Sequence, residues 1–224
     1  MTPDDSVDGS RLTIKLVYYG PALSGKTTNL IYLHNHLRPE LCGELMTMET
    51  KDDRTLFFDL LPLGFKTPSG MLVKLKLFTV PGQVQHDSTR KAVLSRADGV
   101  VFVADSQSSQ SINNGEAFQN LAENAARVGL DFQKLPLVVQ FNKRDLDTIL
   151  SRDEILSRWG QAPWPLFFAI ALTGPGVLQT FRQLLLLAYD SLDRRHNLSG
   201  QHGMTAESFV TSIMGELEFP ETDR

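Results

Sequence analysis

Residues Gly20-Pro21-Ala22-Leu23-Ser24-Gly25-Lys26-Thr27 read G-x-x-x-x-G-K-T, and few strings restrict a fold as tightly. The motif needs a strand before it and a helix after it. Leu12–Tyr19 is an apolar, β-branched and aromatic run that predicts a buried strand, and Thr27-Thr28-Asn29-Leu30-Ile31-Tyr32-Leu33 opens a helix. Between them, Gly20 and Gly25 let the backbone curl so that successive N–H groups converge on an anion. The helix N-terminus adds its positive end, Lys26 can reach terminal phosphates, and Thr27 offers a hydroxyl to Mg²⁺. The run from Gly20 through Thr28 is therefore a candidate nucleotide-phosphate site.

The rest of the chain alternates strand and helix, which predicts an α/β fold of three layers: a mostly parallel central sheet with helices on both faces. After the first helix an irregular stretch runs to about Glu49. Thr55–Leu61 and Met71–Phe78 read as strands, and the turn signal Pro68-Ser69-Gly70 between them predicts a hairpin, the one antiparallel pair. Gly99–Asp105, Leu137–Phe141 and Leu166–Ile170 read as further strands. Helices are expected over Gly115–Arg127, Arg152–Trp159 and Val177–Arg194.

Asn142-Lys143-Arg144-Asp145 follows the strand ending at Phe141 and speaks to the base. Guanine presents an N1–H and an exocyclic amine, two donors that one carboxylate can accept together, and Asp145 is the candidate. Adenine offers neither donor and would leave the carboxylate unpaired, which a polar site rejects strongly. Asn142 is expected to hold neighbouring loops and the base edge, with the stem of Lys143 over the ring.

At 224 residues and 42% apolar, the chain can bury one substantial core. The formal charge is −4, so electrostatics give no case for nucleic acid as a partner. Cys42 is the single cysteine and cannot form an internal disulfide, which fits a reducing cytoplasm. Met1–Asp5 is acidic and polar rather than a signal peptide, no apolar run approaches the roughly 18 residues of a membrane span, and no lipidation signal or other membrane anchor is expected.

Hydrolysis of a bound nucleotide needs a second Mg²⁺ ligand, a residue that orients water, and positive charge at the transferred phosphoryl group. Thr55 is the candidate to sense the γ-phosphate through Mg²⁺, so that Thr27 and Thr55 together form the expected metal set. In Pro81-Gly82-Gln83, Gly82 can offer its backbone N–H to the γ-phosphate and Gln83 can orient the attacking water. Arg54 is placed to act as an arginine finger supplied by the chain itself. His86 and Asp87 read as ordinary surface residues.

These strings resemble the Ras-like small GTPases, and within them the bacterial gliding-motility and cell-polarity family (the mutual gliding protein A family). The resemblance is carried by Val17–Pro21 with Gly25–Leu30, Asp53–Pro62, Thr79–Val84, Gly99–Gln107 and Asn142–Leu146, and spans roughly residues 11 to 195. It implies a GDP/GTP switch that is recruited to a cell pole, and a roadblock-domain partner that accelerates hydrolysis without inserting its own arginine. It also implies that Arg54 and Gln83 are catalytic and are drawn into place when partner binding shifts the second strand. The chain departs from most small GTPases at Thr79, where an acidic residue usually serves Mg²⁺ through water; Asp59 and Asp105 are the alternatives. Where Ser-Ala-Lys is usual, Ile170-Ala171-Leu172 stands, so a backbone N–H of Ala171 or Leu172 must meet the guanine carbonyl. The turn Gly64-Phe65-Lys66-Thr67-Pro68 also differs.

The expected organisation is a flexible N-terminus (1–10), the Ras-like domain (11–198) and a tail (199–224). Asn197–Gly203 reads as linker; beyond it Ala206, Phe209, Val210, Ile213, Met214 and Leu217 recur at helical spacing behind Thr205 as N-cap. The tail holds Glu207, Glu216, Glu218, Glu221 and Asp223 against Arg224, the whole of the chain's net charge. Its helix either packs back on the domain or docks a partner. For the chain as a whole three functions compete: a GTP-hydrolysing switch, a nucleotide-loaded scaffold with negligible hydrolysis, and an adenine-nucleotide kinase or ATPase, which Asp145 disfavours.

Overall fold

Among the described residues seven strands form one sheet. The computed structural model describes residues 11–49, 57–82 and 87–216, and the elements below lie within them. In chain order they are β1 (Arg11–Tyr19), α1 (Lys26–His36), β2 (Met46–Glu49), β3 (Phe57–Lys66), β4 (Leu72–Thr79), α2 (Asp87–Leu94) and β5 (Gly99–Asp105). There follow α3 (Ser111–Arg127), β6 (Leu137–Asn142), α4 (Arg152–Trp159), β7 (Leu166–Phe168), α5 (Val177–His196), α6 (Leu198–His202) and α7 (Ala206–Met214). The strands lie in the order β2-β3-β4-β1-β5-β6-β7. The N-terminal segment 1–10 and Leu217 of the tail stripe lie outside the described residues.

β1 pairs in parallel with β4 and β5, and β5, β6 and β7 continue in parallel. Their C-terminal ends thus share one edge of the sheet, where open α/β sheets bind ligands. β3 alone runs the other way, antiparallel to β4 in the expected hairpin. It is also antiparallel to β2, which was not expected.

Burial follows strand position. β5 and β6 are buried at every residue because both faces are covered by helices, whereas β4 alternates, with Val73, Leu75 and Leu77 turned inward. The period of two sends Ile14, Leu16, Tyr18, Val101 and Val103 to one layer, with Leu30 and Leu33 of α1 and Phe181, Leu184 and Leu185 of α5. Val17, Tyr19, Val100 and Phe102 go to the other layer, with Val93 of α2, Leu121 of α3 and Ile155 of α4. α4 starts on a capping box: Ser151 Oγ accepts from Glu154 N–H and Glu154 returns the bond to Ser151 N–H.

Several expectations need correction. The irregular stretch before Glu49 contains β2, a four-residue strand with no usable pattern. Gly64-Phe65-Lys66 is strand rather than turn, because β3 runs on past Pro62. Pro62 cannot donate to a ladder, but its carbonyl accepts from Gly43 N–H, and Gly64 N–H bonds to Leu41. α3 begins at Ser111 rather than Gly115, β7 stops at Phe168, and α5 reaches His196. The linker is partly helical: Asn197 turns the chain with φ 48° and α6 follows at once.

α7 is capped by Thr205, whose hydroxyl accepts from Ser208 N–H, and its apolar stripe faces inward. Phe209 is fully buried between the rings of Phe65 (centroids 6.0 Å) and Tyr189 (5.7 Å). The Tyr189 hydroxyl donates to the Met204 carbonyl at 2.6 Å. This stripe is thus used inside the molecule. Phe65 lies on the far end of β3, so α7 sits at the sheet edge opposite the Gly20–Thr27 loop.

Candidate functional site

The loop Gly20–Gly25 leaves the C-terminal end of β1 with its glycines where only glycine fits. Gly20 has φ 147°, and a Cβ there would fall 2.2 Å from the Val103 carbonyl oxygen. Gly25 has φ 97°, and its Cβ would fall 2.2 Å from Asn142 Nδ2. Leu23 also takes a left-handed φ of 61° and is 87% exposed. Lys26, buried at the start of α1, donates to the carbonyls of Gly20 (3.2 Å) and Pro21 (2.6 Å). Burial first, and the charge of Arg90 second, push its pKa down to about 7, against a smaller opposing pull from Asp59. Thr28 is half-buried beside an exposed Thr27.

Thr27 Oγ1 donates to Asp59 Oδ2 at 2.6 Å. Asp59 is almost fully buried and accepts also from Thr79 Oγ1 (2.9 Å) and Thr47 Oγ1 (3.0 Å), while its own N–H donates to Thr79 Oγ1 (2.8 Å). Thr47 stands opposite Asp59 in the β2–β3 register. One row across three strands therefore carries an acid with a hydroxyl on each side, under the first turn of α1. Asp105, the other alternative, is engaged elsewhere: it takes Lys143 Nζ at 2.7 Å and Gln107 N–H at 3.0 Å. The oxygens of Thr27 and Asp59 suit a hard dication such as Mg²⁺. Among the described residues no cluster of three or more His, Cys, Asp or Glu is poised to hold a metal. A cation here would accordingly draw on water and substrate phosphates for its remaining ligands, as Mg²⁺ commonly does.

On the base side, Asn142 ends β6 and joins two loops. Its Nδ2 donates to the Ser24 carbonyl (2.9 Å) and its Oδ1 accepts from Ala171 N–H (2.8 Å). Ala171 is thereby committed to Asn142, so of the two backbone donors expected for the guanine carbonyl, the free candidate is Leu172. The Leu172 side chain is 76% exposed. Lys143 takes a left-handed φ of 64°, and Asp145, two residues on, is exposed. Gly174 passes so close to the ring of Tyr32 that a Cβ would fall 2.0 Å from it, so α1 props the 171–174 loop from behind.

Gly82 follows β4 and lies against Ala22; a Cβ on Gly82 would fall 2.2 Å from the Ala22 Cα. A cleft of about 650 Å³ opens beside this contact, lined by Pro21, Ala22, Leu23, Gly82, Asp105 and Lys143 among others. Arg54, Thr55, Gln83 and His86 lie outside the described residues. Asp87 binds Asn124 Nδ2 (2.7 Å) and pairs with Arg127 and Lys91 at the start of α2. Sequence reasoning left Asp59 as one of two alternatives and missed Arg90. Counting residue pairs back from the 68–70 turn puts Asp59 beside Thr79, a signal that could have chosen it.

A glycine-lined loop between strand and helix, an Asn142 bridge to a second loop, and a sheet with one reversed strand define a Ras-like small GTPase. The sequence profile of the ADP-ribosylation factor family matches residues 5–186, and the chain belongs to that family. It is 43% identical over 183 residues to the mutual gliding-motility protein MglA of Myxococcus xanthus (strain DK1622), covering 82% of this chain and 94% of that protein. Among the described residues no helix is long and apolar enough to cross a membrane.

Proposed function

We propose that this chain is a guanine-nucleotide switch that hydrolyses GTP to GDP and changes its partners with the nucleotide it holds. The observation that carries the reading is Asn142, whose amide ties the carbonyl of Ser24 to the N–H of Ala171 and so couples a phosphate loop to a base loop. In this reading Gly20–Thr28 and Gly82 hold the phosphates. Asn142, Lys143, Asp145 and the backbone N–H of Leu172 read the base, Ala171 N–H being held by Asn142. Thr27 and Thr55 would hold Mg²⁺, with Asp59 the carboxylate nearest to Thr27. The ion when bound neutralises charge on the phosphates; orientation is left to the chain.

Gln83 orients the attacking water and Arg54 supplies positive charge at the γ-phosphoryl oxygens. Without a positioned arginine such a site turns over at roughly 10⁻⁴ s⁻¹, and a positioned one adds about 10³- to 10⁵-fold. A roadblock-domain partner is the proposed trigger, and control of polarity or gliding motility at a cell pole, from a cytoplasmic pool, is proposed from the likeness to MglA. The scaffold alternative draws support from Thr79, and the acid it lacks is supplied by Asp59 in the same row.

Displacement of fluorescent GDP by GTP and by ATP tests the base assignment, with GTP expected to act at far lower concentration. Equal displacement would end the guanine reading. Arg54→Ala and Gln83→Leu are expected to keep GTP binding and abolish partner-stimulated turnover in a phosphate-release assay. Survival of stimulation in both variants would sink the catalytic assignment.

A further inference from the structure

Arg90 is fully buried although it sits on α2, a helix otherwise open on one side. An arginine withdrawn from water is tolerated only when its donors are used, and here each edge of the guanidinium is occupied. Nε donates to the Pro81 carbonyl at 2.9 Å, Nη1 to Asn120 Oδ1 at 2.7 Å, and Nη2 to the Gly82 carbonyl. The plane lies over the ring of Tyr19, 5.4 Å from its centroid. Tyr19 is held in turn, its hydroxyl donating to Asn120 Oδ1 (2.5 Å) and accepting from Asn124 Nδ2 (3.2 Å). Asn124 and Arg127 reach back to Asp87 at the first turn of α2. The arginine is thus fixed from β1, α3 and the segment after β4 at once.

Two of its three acceptors are the consecutive carbonyls of Pro81 and Gly82. In a trans peptide the C=O and N–H point in opposite directions. The carbonyl of Pro81 belongs to the same peptide plane as the N–H of Gly82. Holding that carbonyl on Arg90 therefore aims the Gly82 N–H away from Arg90, and the second bond stops the following plane from rotating. Gly82 meanwhile touches the phosphate loop at Ala22. The segment is gripped between a buried arginine on one side and the phosphate loop on the other.

We propose that Arg90 is the positioning residue for Gly82: its fork presets the peptide whose N–H recognises a γ-phosphate, so Arg90 tunes discrimination between tri- and diphosphate through that peptide. The proposal rests on the reading of Gly82 as a γ-phosphate contact. Arg90→Lys is the informative variant, since an ammonium keeps the charge but lacks the planar fork that serves two carbonyls and Asn120 together. Asn120→Ala removes the third acceptor and leaves the arginine in place.

The test is the affinity of the full chain for GDP and for a non-hydrolysable GTP analogue, by fluorescence titration, with thermal unfolding as control. Wild type is expected to bind both guanine nucleotides and to reject ATP. Arg90→Lys is expected to bind GDP within about twofold of wild type and the GTP analogue at least tenfold more weakly. Asn120→Ala should shift the ratio in the same direction by less. An unchanged ratio in both variants, or equal loss of both nucleotides, would overturn the proposal while leaving the guanine reading intact. Wild type that binds ATP as well as GTP would bring down the guanine reading and this proposal together. Should Arg90→Lys fail to fold, the ratio in Asn120→Ala decides.

Discussion

Lys26 carries the largest electrostatic consequence of any one residue in the site. With its pKa pushed down to about 7, mainly by burial and then by the charge of Arg90, the amine is mostly neutral at pH 8 in the protein alone. Phosphates brought beside it favour the ammonium. GDP binding at pH 8 is therefore expected to take up close to one proton, read by calorimetry in buffers of different ionisation enthalpy. Lys26→Met should abolish that uptake. The same shift sets a pH trend in stability. The folded chain releases this proton near pH 7 and the unfolded chain near its ordinary value of about 10.4, so stability rises with pH across that window and is lowest below it. At this scale the sequence was most informative where function is written contiguously. The eight residues from Gly20 to Thr27 and the four from Asn142 to Asp145 were read from contiguous strings together with the strands that precede them. Asp59 and Arg90 drew their meaning from strand register and burial, and a sequence displays neither directly.

Among the elements, β2 and β3 depart furthest from the pattern expected of them. Pro62 and Gly64 argue against a strand in any local reading, and β3 runs through both because the 41–43 segment supplies antiparallel partners at its edge. α7 was legible as a helix from its apolar spacing, but the choice between packing and docking was not, because that depends on whether a receiving surface exists. Phe65, Tyr189 and Leu192 provide one. Phe209→Ala removes the ring at the centre of this contact and is expected to cost about 3–5 kcal/mol, measured by urea unfolding. A loss below about 1 kcal/mol would mean the helix is only loosely seated. β5 and β6, by contrast, were legible nearly to the residue, since strands covered on both faces carry unbroken apolar runs.

For the molecule as a whole, the parallel strands gather the phosphate loop, Gly82, Asp105, Asn142 and the 171–174 loop on one edge, while α7 closes the other. In the proposed reading, the nucleotide edge is thereby separated from the packing of the tail. Deleting residues 204–224 is expected to lower the unfolding temperature by more than Phe209→Ala does. It should leave the ratio of GTP to ATP affinity unchanged wherever the truncated chain remains folded. A changed ratio would show that the tail reaches the nucleotide edge after all. The fold class was readable from the alternation of periods, whereas this division of labour depends on which end of β3 the tail meets.

The row of Thr47, Asp59 and Thr79 makes strand alignment a chemical variable. Side chains along a strand alternate faces, so sliding β3 by one residue would turn Asp59 to the opposite side of the sheet. Sliding it by two would keep the face but carry the carboxylate about 6.8 Å along the strand, beyond hydrogen-bond reach of Thr27. A whole-step displacement anywhere along β3 would therefore be read at the hydroxyl of Thr27, as the loss of its carboxylate partner.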